Sequence, residues 1–378
     1  MFIKKLALKN FRNYEKAEIE FNSNKILFIG KNAQGKTNLL EAIFYLSTLD
    51  SLRAKTDSEL IKWNEEYSNL YTQIKKFDVD IELEVNLNPP NKKKIKVNGI
   101  VKSKFADFIG NLSTVCFTTN DLLLLRGAPE DRRKWLDIAI SQIYPAYNER
   151  LSKYNKIRLQ KNNYLKDLKG NLNADSSVLD IWNEQLAITG SNITYIRINF
   201  LKELQKIAKG KHKQISDNEE LSLSYNSTII GDCDFTSDIE NEFILNNFKQ
   251  RLEEKKPEEI IRAQSVIGPH RDDVSYFING NDSKKYASQG QQRTIVLALK
   301  LAELQLIKDK INTNAVLLLD DVLAELDDLR QNYLLNAIGD DTQTIITSVD
   351  TLHFKPEYLK DVEIFEIKDN EIIKKAIN

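Results

Sequence analysis

The chain has 378 residues, of which 41% are hydrophobic and 29% charged, and its formal net charge is −1; this length allows two or three domains, or one large domain with an insertion. The near-zero charge excludes a uniformly basic nucleic-acid-binding protein, so contacts with DNA would have to come from local patches. Because it has no run of about 18 apolar residues, no apolar secretory signal and no C-x-x-C pair, we expect a cytoplasmic protein with no membrane partner and no zinc site.

The first 120 residues combine several strand patterns with one helical pattern. Apolar residues alternate over residues 2–11 and 17–21, and a third strand, residues 25–30, runs into a glycine-rich turn. Residues 37–49 then carry apolar side chains at helical spacing. Strand, glycine-rich loop and helix in this order form the opening of a P-loop domain. Further strands are predicted over residues 79–87, 93–103 and 113–119.

Helical patterns dominate the middle of the chain, from about Asp121 to Gln264. Two long helices are predicted over residues 132–168 and 178–210, and the polar residues 169–177 between them predict a turn. A strand over residues 221–225 and an acidic helix over residues 238–254 follow.

The C-terminal part alternates between strand and helix, which is typical of an α/β fold with a largely parallel sheet. The predicted elements are a strand at 272–280, a helix at 290–307, a strand at 315–320, a helix at 326–338 and a strand at 343–349. We therefore predict an α/β head formed by both chain ends, residues 1–120 and 265–378. Residues 121–264 would form a mostly helical lobe inserted into it.

A complete phosphate-binding motif, G-x-x-x-x-G-K-[ST], lies between the third strand and the first helix. Its glycines let backbone N–H groups surround a phosphate at a helix N-terminus, where the helix dipole favours anions. Lys36 would reach the β- and γ-phosphates of a nucleotide, and the Thr37 hydroxyl would bind Mg²⁺. A chance match in a loop is the alternative, which the flanking strand and helix disfavour. The predicted nucleotide-binding residues are Gly30, Lys31, Asn32, Ala33, Gln34, Gly35, Lys36 and Thr37.

The matching acidic element is the apolar strand that ends in Asp320 and Asp321. Asp320 would hold Mg²⁺, and Asp321 could accept a proton from the attacking water, so Asp321 and Lys36 are the predicted catalytic residues. The alternative is an ordinary core strand that ends in a polar turn. Lys36 and Asp320 are 320 − 36 = 284 residues apart, which agrees with a large insertion between them.

A second candidate anion site is the segment Ser288-Gln-Gly290-Gln291, which precedes a long predicted helix. Because the chain already has one phosphate cradle, a second suits an ATP whose two faces are held by different subunits. The alternative is a simple helix N-cap at Ser288. The Ser288–Gln291 segment lies shortly before the strand that ends in Asp320, and Ala324-Glu-Leu-Asp327 follows that strand. This order favours the nucleotide interpretation.

Together the P-loop, S-x-G-Q helix, Asp-Asp strand end and E-L-D segment resemble the head of ABC ATPases, especially the SMC branch. Longer stretches along nearly the whole chain resemble the bacterial RecF family of recombinational repair. These stretches are LKNFRNY (8–14), SLRAKTDSELIKW (51–63), GAPEDRRKWLD (127–137), IGPHRDD (267–273) and ASQGQQRT (287–294).

The resemblance implies a cofactor pair, ATP and Mg²⁺, and a weak DNA-stimulated ATPase that forms an ATP-dependent homodimer. It implies binding to double-stranded DNA and gapped duplex, with RecR and RecO as partners, in DNA repair, recombination, replication and the SOS response. It places Ser288, Gly290 and Gln291 against the γ-phosphate of ATP held by the other subunit, and Arg12 near the nucleotide. Asp321 stands where ABC ATPases carry a glutamate, and Ser348-Val-Asp350 lacks their switch histidine, so slow hydrolysis is expected.

Two basic stretches are candidate DNA-binding surfaces. Six lysines between residues 92 and 104 lie on a predicted hairpin, and residues 149–169 carry seven Lys/Arg against two acids. Such groups bind phosphates without reading sequence. A solvated helix face, or an edge strand protected by lysines, is the alternative for each. The candidates are Lys92, Lys93, Lys94, Arg150, Lys153 and Lys156.

Other classes of ATPase make different demands on the chain. A transporter-type nucleotide-binding subunit would lack a long helical insertion, and an ATPase-coupled nuclease would need a further carboxylate-rich domain. A structural SMC-like subunit that binds ATP without turnover stays open because of Asp321 and the missing histidine. The long arms of chromosome-organising SMC proteins are excluded, because about 35 helical residues extend only ~50 Å.

Overall fold

The secondary structure is given by a computed structural model that describes residues 1–170, 177–216, 218–352, 354 and 356–375. The strands of these residues are β1 (Phe2–Phe11), β2 (Tyr14–Glu20), β3 (Lys25–Ile29), β4 (Ser68–Lys76), β5 (Val79–Leu87), β6 (Lys94–Val97), β7 (Ile100–Lys102), β8 (Thr114–Thr118), β9 (Leu221–Ser227), β10 (Gly231–Cys233), β11 (Asp273–Ile278), β12 (Asn281–Asp282), β13 (Val316–Asp320), β14 (Thr344–Ser348), β15 (Val362–Lys368) and β16 (Glu371–Lys375). The helices are α1 (Lys36–Thr48), α2 (Leu123–Arg126), α3 (Pro129–Ile143), α4 (Ala146–Gly170), α5 (Ser177–Ile215), α6 (Asn241–Arg262), α7 (Ser283–Tyr286), α8 (Gln289–Ile311), α9 (Asp328–Ala337) and α10 (Pro356–Leu359). The turn predicted between the two long helices lies mostly outside the described residues.

A six-stranded sheet carries the glycine-rich loop, in the order β16-β15-β3-β14-β13-β8. All neighbouring strands from β15 to β8 pair in parallel, and only β16 is antiparallel. Its central strands are continuous apolar runs because both faces are covered; residues 26–28 and 316–319 are at most 1% exposed. The carboxyl ends of β3, β14, β13 and β8 therefore meet at one edge of the sheet, where β13 ends in Asp320.

Two further sheets are antiparallel. One has the order β2-β1-β4-β5-β6-β7 and lies in the same part of the chain as the P-loop, and α1 contacts β1, β4 and β5. The other has the order β10-β9-β11-β12. Along β9 and β11 buried residues alternate with partly exposed ones, as expected for a sheet with one covered face.

Helix α5 is 39 residues long, which corresponds to ~58 Å. It packs against α4, α6 and β9. Its buried positions recur at helical spacing, as at Leu179, Leu186, Ile193 and Phe200. The helical prediction for the middle of the chain is therefore confirmed, except that the single helix predicted over residues 132–168 is divided at Pro145 into α3 and α4, because proline lacks the N–H that a continuous helix requires.

The chain divides into two compact units. The first comprises Met1–Asp121, Ser141–Pro145 and Leu297–Asn378, and the second comprises Leu122–Ile140 and Ala146–Val296. The second unit thus includes residues 265–296, which the sequence prediction placed in the head. The physical reason is the antiparallel pairing of β11 with β9, a contact between distant segments that periodicity does not reveal.

Candidate nucleotide-binding site

The glycine-rich loop connects β3 to α1, as the motif predicts. Gly35 caps α1 in a left-handed conformation, with φ of 105°. A Cβ at this residue would lie 2.7 Å from the hydroxyl oxygen of Tyr14, so both the backbone angle and the close approach require glycine. At the start of the loop, a Cβ on Gly30 would lie 2.4 Å from the carbonyl oxygen of Ile367.

The ammonium group of Lys36 lies over this loop. Its Nζ donates hydrogen bonds to the carbonyl oxygens of Gly30 at 2.6 Å and Lys31 at 3.1 Å, and the residue is 4% exposed. The charge is therefore held inside the loop that would surround a phosphate. Gln34 supports the loop, since its side-chain oxygen accepts a 2.5 Å hydrogen bond from the backbone N–H of Asp369.

Thr37 and Asp320 meet at the edge of the parallel sheet. The Thr37 hydroxyl donates to Asp320 Oδ1 at 2.8 Å, and the Thr347 hydroxyl on β14 lies 2.9 Å from the same oxygen. Burial raises the pKa of Asp320; the hydrogen bonds from Thr37 and Thr347 oppose that rise, and the neighbouring Asp321 adds to it. A buried carboxylate with a hydroxyl beside it is the donor set that suits a hard cation such as Mg²⁺. The residues present therefore fit a magnesium ion.

A cavity of about 340 Å³ opens beside these residues. Asp321 lines it in a left-handed conformation, with φ of 53°, and its backbone N–H donates to the Thr347 hydroxyl at 2.9 Å. This backbone conformation is uncommon outside glycine, and such residues cluster at functional sites. The cavity is lined by Asn32, Ala33, Gly35, Lys36, Thr37, Asn38, Arg53 and Asp321.

Arg53 and Asn38 belong to this cavity although the sequence did not single them out. Arg53 donates to the side-chain oxygen of Asn38 at 2.5 Å and to Glu41 Oε2 at 2.7 Å. The signal available in the sequence was the stretch SLRAKTDSELIKW, which carried the family resemblance but no assigned role. Thr347, whose hydroxyl bonds Asp320, was also not predicted; the signal for it was a polar residue within an otherwise apolar strand.

Arg12 does not line the P-loop cavity. It forms two hydrogen bonds to the fully buried carboxylate of Glu41, at 2.9 Å and 2.8 Å, and it borders a separate cavity of about 730 Å³. Burial would raise the pKa of Glu41, but hydrogen bonds from Arg12, Arg53 and Ser51 hold it below its ordinary value. Through Glu41, Arg12 is connected to Arg53, which does reach the cavity.

The S-x-G-Q segment begins helix α8 and lies in the second unit. The Ser288 hydroxyl accepts from the backbone N–H of Gln291 at 3.2 Å, while Gln291 Oε1 accepts from the backbone N–H of Ser288 at 2.7 Å. This reciprocal pair is a capping box. The N-cap alternative is thus present in the structure, and Ser288 is at the same time exposed at a helix N-terminus, where an anion can bind.

The basic candidates differ in their surroundings. Lys93 is only 14% exposed at its side chain, and its Nζ donates to the Tyr45 hydroxyl at 2.7 Å and to the Leu49 carbonyl at 3.0 Å. It therefore supports the packing of the first unit. The other five candidates are exposed: Lys92, Lys94, Arg150, Lys153 and Lys156.

The strands on either side of β13 end in Thr118 and Ser348, and the Ser348–Asp350 position lacks the switch histidine of ABC ATPases. Thr118, at the end of β8, pairs in register with Asp320. The backbone N–H of Thr118 donates to the carboxylate of Asp121 at 2.8 Å. Ser348 ends β14 beside the P-loop strand and is followed by Val349 and Asp350.

Over the described residues there is no cluster of three or more His, Cys, Asp or Glu placed to hold a metal ion. Likewise, no helix in the described part of the chain has the length and apolar character to cross a membrane.

Comparisons with known proteins agree with this geometry. The family model for the RecF/RecN/SMC N-terminal domain matches residues 2–370. The DNA replication and repair protein RecF of Bacillus pumilus is 39% identical over 374 residues, which cover 99% of this chain and 100% of that protein. The RecF of Oceanobacillus iheyensis is 40% identical over 375 residues, which cover 98% and 100%.

Solved structures show the same relationship. The recombination mediator protein RecF bound to ATP, of the RecFOR pathway, superposes with a TM-score of 0.90 at 35% identity, over 99% of this chain and 98% of that one. An Smc head bound to the C-terminal winged-helix domain of ScpA has a TM-score of 0.54 at 15% identity, over 100% and 98%, and shares the fold alone. The α/β fold of an ABC-type ATPase head, predicted from the motifs, is therefore confirmed, and the chain belongs to the RecF family, within the wider group that shares the RecF/RecN/SMC N-terminal domain.

Proposed function

We propose that this protein is an ATP-dependent DNA-binding ATPase of recombinational repair and replication restart. ATP and Mg²⁺ bound between two copies of the chain close a clamp on duplex DNA at single-strand gaps, and slow hydrolysis releases it. The proposal rests on one observation: the glycine-rich phosphate-binding loop is complete, and beside it the Thr37 hydroxyl donates a 2.8 Å hydrogen bond to the carboxylate of Asp320. The names of its relatives, DNA replication and repair proteins and a recombination mediator bound to ATP, support it.

The P-loop residues bind the nucleotide in this proposal. Backbone N–H groups of the loop and of the start of α1 surround the phosphates. Lys36 exchanges its two carbonyl partners for the β- and γ-phosphate oxygens, because an ammonium–phosphate hydrogen bond is stronger than one to a neutral carbonyl. Arg53, which lines the same cavity, adds a second positive charge.

Thr37 and Asp320 are the residues that hold Mg²⁺. When bound, the ion neutralises phosphate charge and orients the γ-phosphoryl group. Asp321 faces the same cavity and accepts the proton of the attacking water. Its side chain is one methylene shorter than glutamate, and Ser348–Asp350 supplies no histidine, so we expect hydrolysis to be slow.

The second anion site, at the start of α8, provides the contact between the two copies of the chain. Ser288 and Gly290 at the start of α8 would contact the γ-phosphate of ATP bound to the partner copy. Each nucleotide then joins two subunits, and loss of the γ-phosphate on hydrolysis weakens the contact. Exposed basic residues on α4 supply sequence-independent phosphate contacts to DNA, and RecR and RecO are the expected protein partners.

A structural ATP-binding subunit without turnover is the second candidate function, and the Asp321 and Ser348–Asp350 sequence favours it. A structural subunit would form the same ATP-dependent dimer but would not release phosphate, and a single-turnover assay measures that release. A transporter-type subunit has no specific support, since the second unit carries long helices packed together.

The test is sedimentation of the protein with and without ATP and Mg²⁺, and with a gapped duplex. Lys36→Met removes nucleotide binding, and Ser288→Arg blocks the second anion site. Neither variant should dimerise alone. A mixture of the two should recover ATP-dependent dimers, because ATP on the Ser288→Arg chain can meet the intact Ser288 of the Lys36→Met chain.

The exposed Lys16→Met on β2 is the matched control and should dimerise like the wild type. Dimers that retain the duplex only with ATP support the clamp. If wild-type protein stays monomeric with ATP at micromolar concentration, the shared-nucleotide mechanism is wrong. If the mixture does not recover dimers, the two motifs do not share one nucleotide.

A further inference from the structure

The side chain of Gln291 in the S-x-G-Q segment is held at both ends. Its Oε1 accepts from the backbone N–H of Ser288 at 2.7 Å. Its Nε2 donates to Glu219 Oε1 at 2.8 Å. Glu219 follows helix α5 in the chain, so a residue 72 positions away holds the amide that caps α8.

Glu219 decides which way the Gln291 amide faces. The two ends of a glutamine amide have nearly the same shape, but one only donates and the other only accepts. An ionised carboxylate is only an acceptor, so Gln291 must turn Nε2 toward Glu219. Its Oε1 is then left for the Ser288 N–H, and the capping box has a single orientation.

A buried histidine lies behind the carboxylate. His212, in the last turn of α5, is 0% exposed, and its Nε2 is 3.7 Å from Glu219 Oε2. Glu219 is 19% exposed at its side chain. The 3.7 Å between His212 Nε2 and Glu219 Oε2 is longer than a hydrogen bond, so the ring of His212 is a packing neighbour of the carboxylate, and the hydrogen bond from Gln291 Nε2 orients it.

The oriented capping box has a consequence for the Ser288 hydroxyl. The hydroxyl oxygen accepts from the backbone N–H of Gln291 at 3.2 Å. A hydroxyl that accepts in this direction keeps its own proton for another acceptor. At the exposed start of α8 that acceptor can be a phosphate oxygen.

We propose that Glu219 is a positioning residue that orients Gln291 and thereby prepares Ser288 to donate to the γ-phosphate of a nucleotide held by a second copy of the chain. This role rests on the proposed function for its phosphate partner. The orientation of Gln291 by Glu219 can be measured without it.

The first test is single-residue hydrogen–deuterium exchange of the Ser288 amide in protein without nucleotide. Glu219→Ala should speed this exchange about fivefold, the effect of losing one net hydrogen bond. Glu219→Gln should restore slow exchange in large part, because its side-chain oxygen can still accept from Gln291. Glu220→Ala is the matched control, since Glu220 pairs with Lys209 at 3.2 Å and should leave the Ser288 amide unchanged.

Unchanged exchange in Glu219→Ala overturns the proposal, and so does an equal increase in Glu220→Ala. Partial exposure of Glu219 makes loss of folding in Glu219→Ala unexpected, and an unchanged thermal midpoint would verify that the effect is local. The second test is ATP-dependent dimerisation, which Glu219→Ala should weaken at least about fivefold while ATP affinity of the monomer is kept. If wild-type protein does not dimerise with ATP, the proposed function fails, and the exchange result still decides whether Glu219 orients Gln291.

Discussion

At the scale of single residues, His270 shows how burial selects a protonation state. Its Nδ1 lies 2.7 Å from the Tyr154 hydroxyl, and its Nε2 lies 3.3 Å from the carbonyl oxygen of Ser265. A neutral ring with its proton on Nε2 satisfies both contacts, since Nδ1 then accepts from the hydroxyl. Burial, with smaller contributions from nearby arginines of which Arg158 is the largest, lowers the pKa of His270 to about 3.

This shift predicts a loss of stability in mild acid. The unfolded chain binds a proton at His270 below pH 6.5, whereas the folded chain does not bind one until about pH 3. The folded state therefore has its full stability above pH 6.5 and loses stability as the pH falls from 6.5 towards 3. The free energy of unfolding should decrease by about 1.4 kcal/mol per pH unit in this window. Denaturant unfolding at pH 7, 6, 5.5 and 5 should show a shallower dependence in His270→Gln, by the equivalent of about one proton. Equal slopes in the two proteins would contradict the prediction.

At the scale of secondary-structure elements, the packing of α4, α5 and α6 depends on one small residue. A Cβ on Gly190 in α5 would lie 2.5 Å from the ring of Phe248 on α6 and 2.9 Å from the ring of Tyr154 on α4. Both rings are buried. Gly210, on the same helix, has nothing within 4 Å of the corresponding position.

Alanine substitutions at these two glycines should therefore have opposite effects. Gly210→Ala should stabilise the protein by up to about 1 kcal/mol, because alanine favours the helix and meets no neighbour. Gly190→Ala gains the same propensity, but displacing two buried rings costs about 1–3 kcal/mol, so the net effect should be destabilisation by about 1 kcal/mol. Denaturant unfolding measures both free energies. Stabilisation by Gly190→Ala would show that α4, α5 and α6 can move apart.

Buried ion pairs connect α4 with α6 and α5 with α3. Lys161 on α4 and Glu259 on α6 are both 0% exposed and lie 2.6 Å apart. Arg197 on α5 bonds Asp137 of α3 at 3.0 Å and 2.9 Å and the carbonyl oxygen of Pro269 at 2.6 Å. Removing one partner of such a pair leaves an uncompensated buried charge, so we expect each such substitution to destabilise the protein.

At the scale of the whole molecule, a net charge of −1 means that the proposed DNA binding depends on where the basic residues lie. Arg150, Lys153 and Lys156 are exposed at three-residue intervals along α4. On the hairpin, Lys93 is occupied by Tyr45 and Leu49, and Lys96 pairs with Glu84 at 3.0 Å. The α4 group is therefore the stronger candidate for phosphate contacts.

Salt dependence of DNA affinity should distinguish the two patches. Replacing Arg150, Lys153 and Lys156 together by alanine should lower the slope of log affinity against log salt by about 3, since each phosphate contact contributes about 0.9. The Lys92→Ala, Lys94→Ala double variant is the comparison and should change the slope by less than the value of about 0.9 that one phosphate contact contributes. Binding to gapped duplex with ATP, measured at several salt concentrations, gives both slopes. The reverse order would assign DNA to the hairpin.

The sequence by itself determined the local features of this protein. The P-loop, the strand ending in Asp320 and Asp321, and the S-x-G-Q helix start could be predicted because each depends on neighbouring residues and on a short periodicity. The same is true of the long helices, whose apolar spacing is visible in the sequence. The resemblance to the RecF family rests on these local motifs in their order along the chain.

Tertiary structure alone decided which distant residues share a site. The pairing of β11 with β9 took residues 265–296 into the second unit. The buried Glu41 joined Arg12 to Arg53 and brought only Arg53 to the cavity. Glu219 reached Gln291 across 72 residues. No short pattern encodes these contacts, because they depend on packing between segments that are far apart in the chain, where distance and burial decide which charges pair.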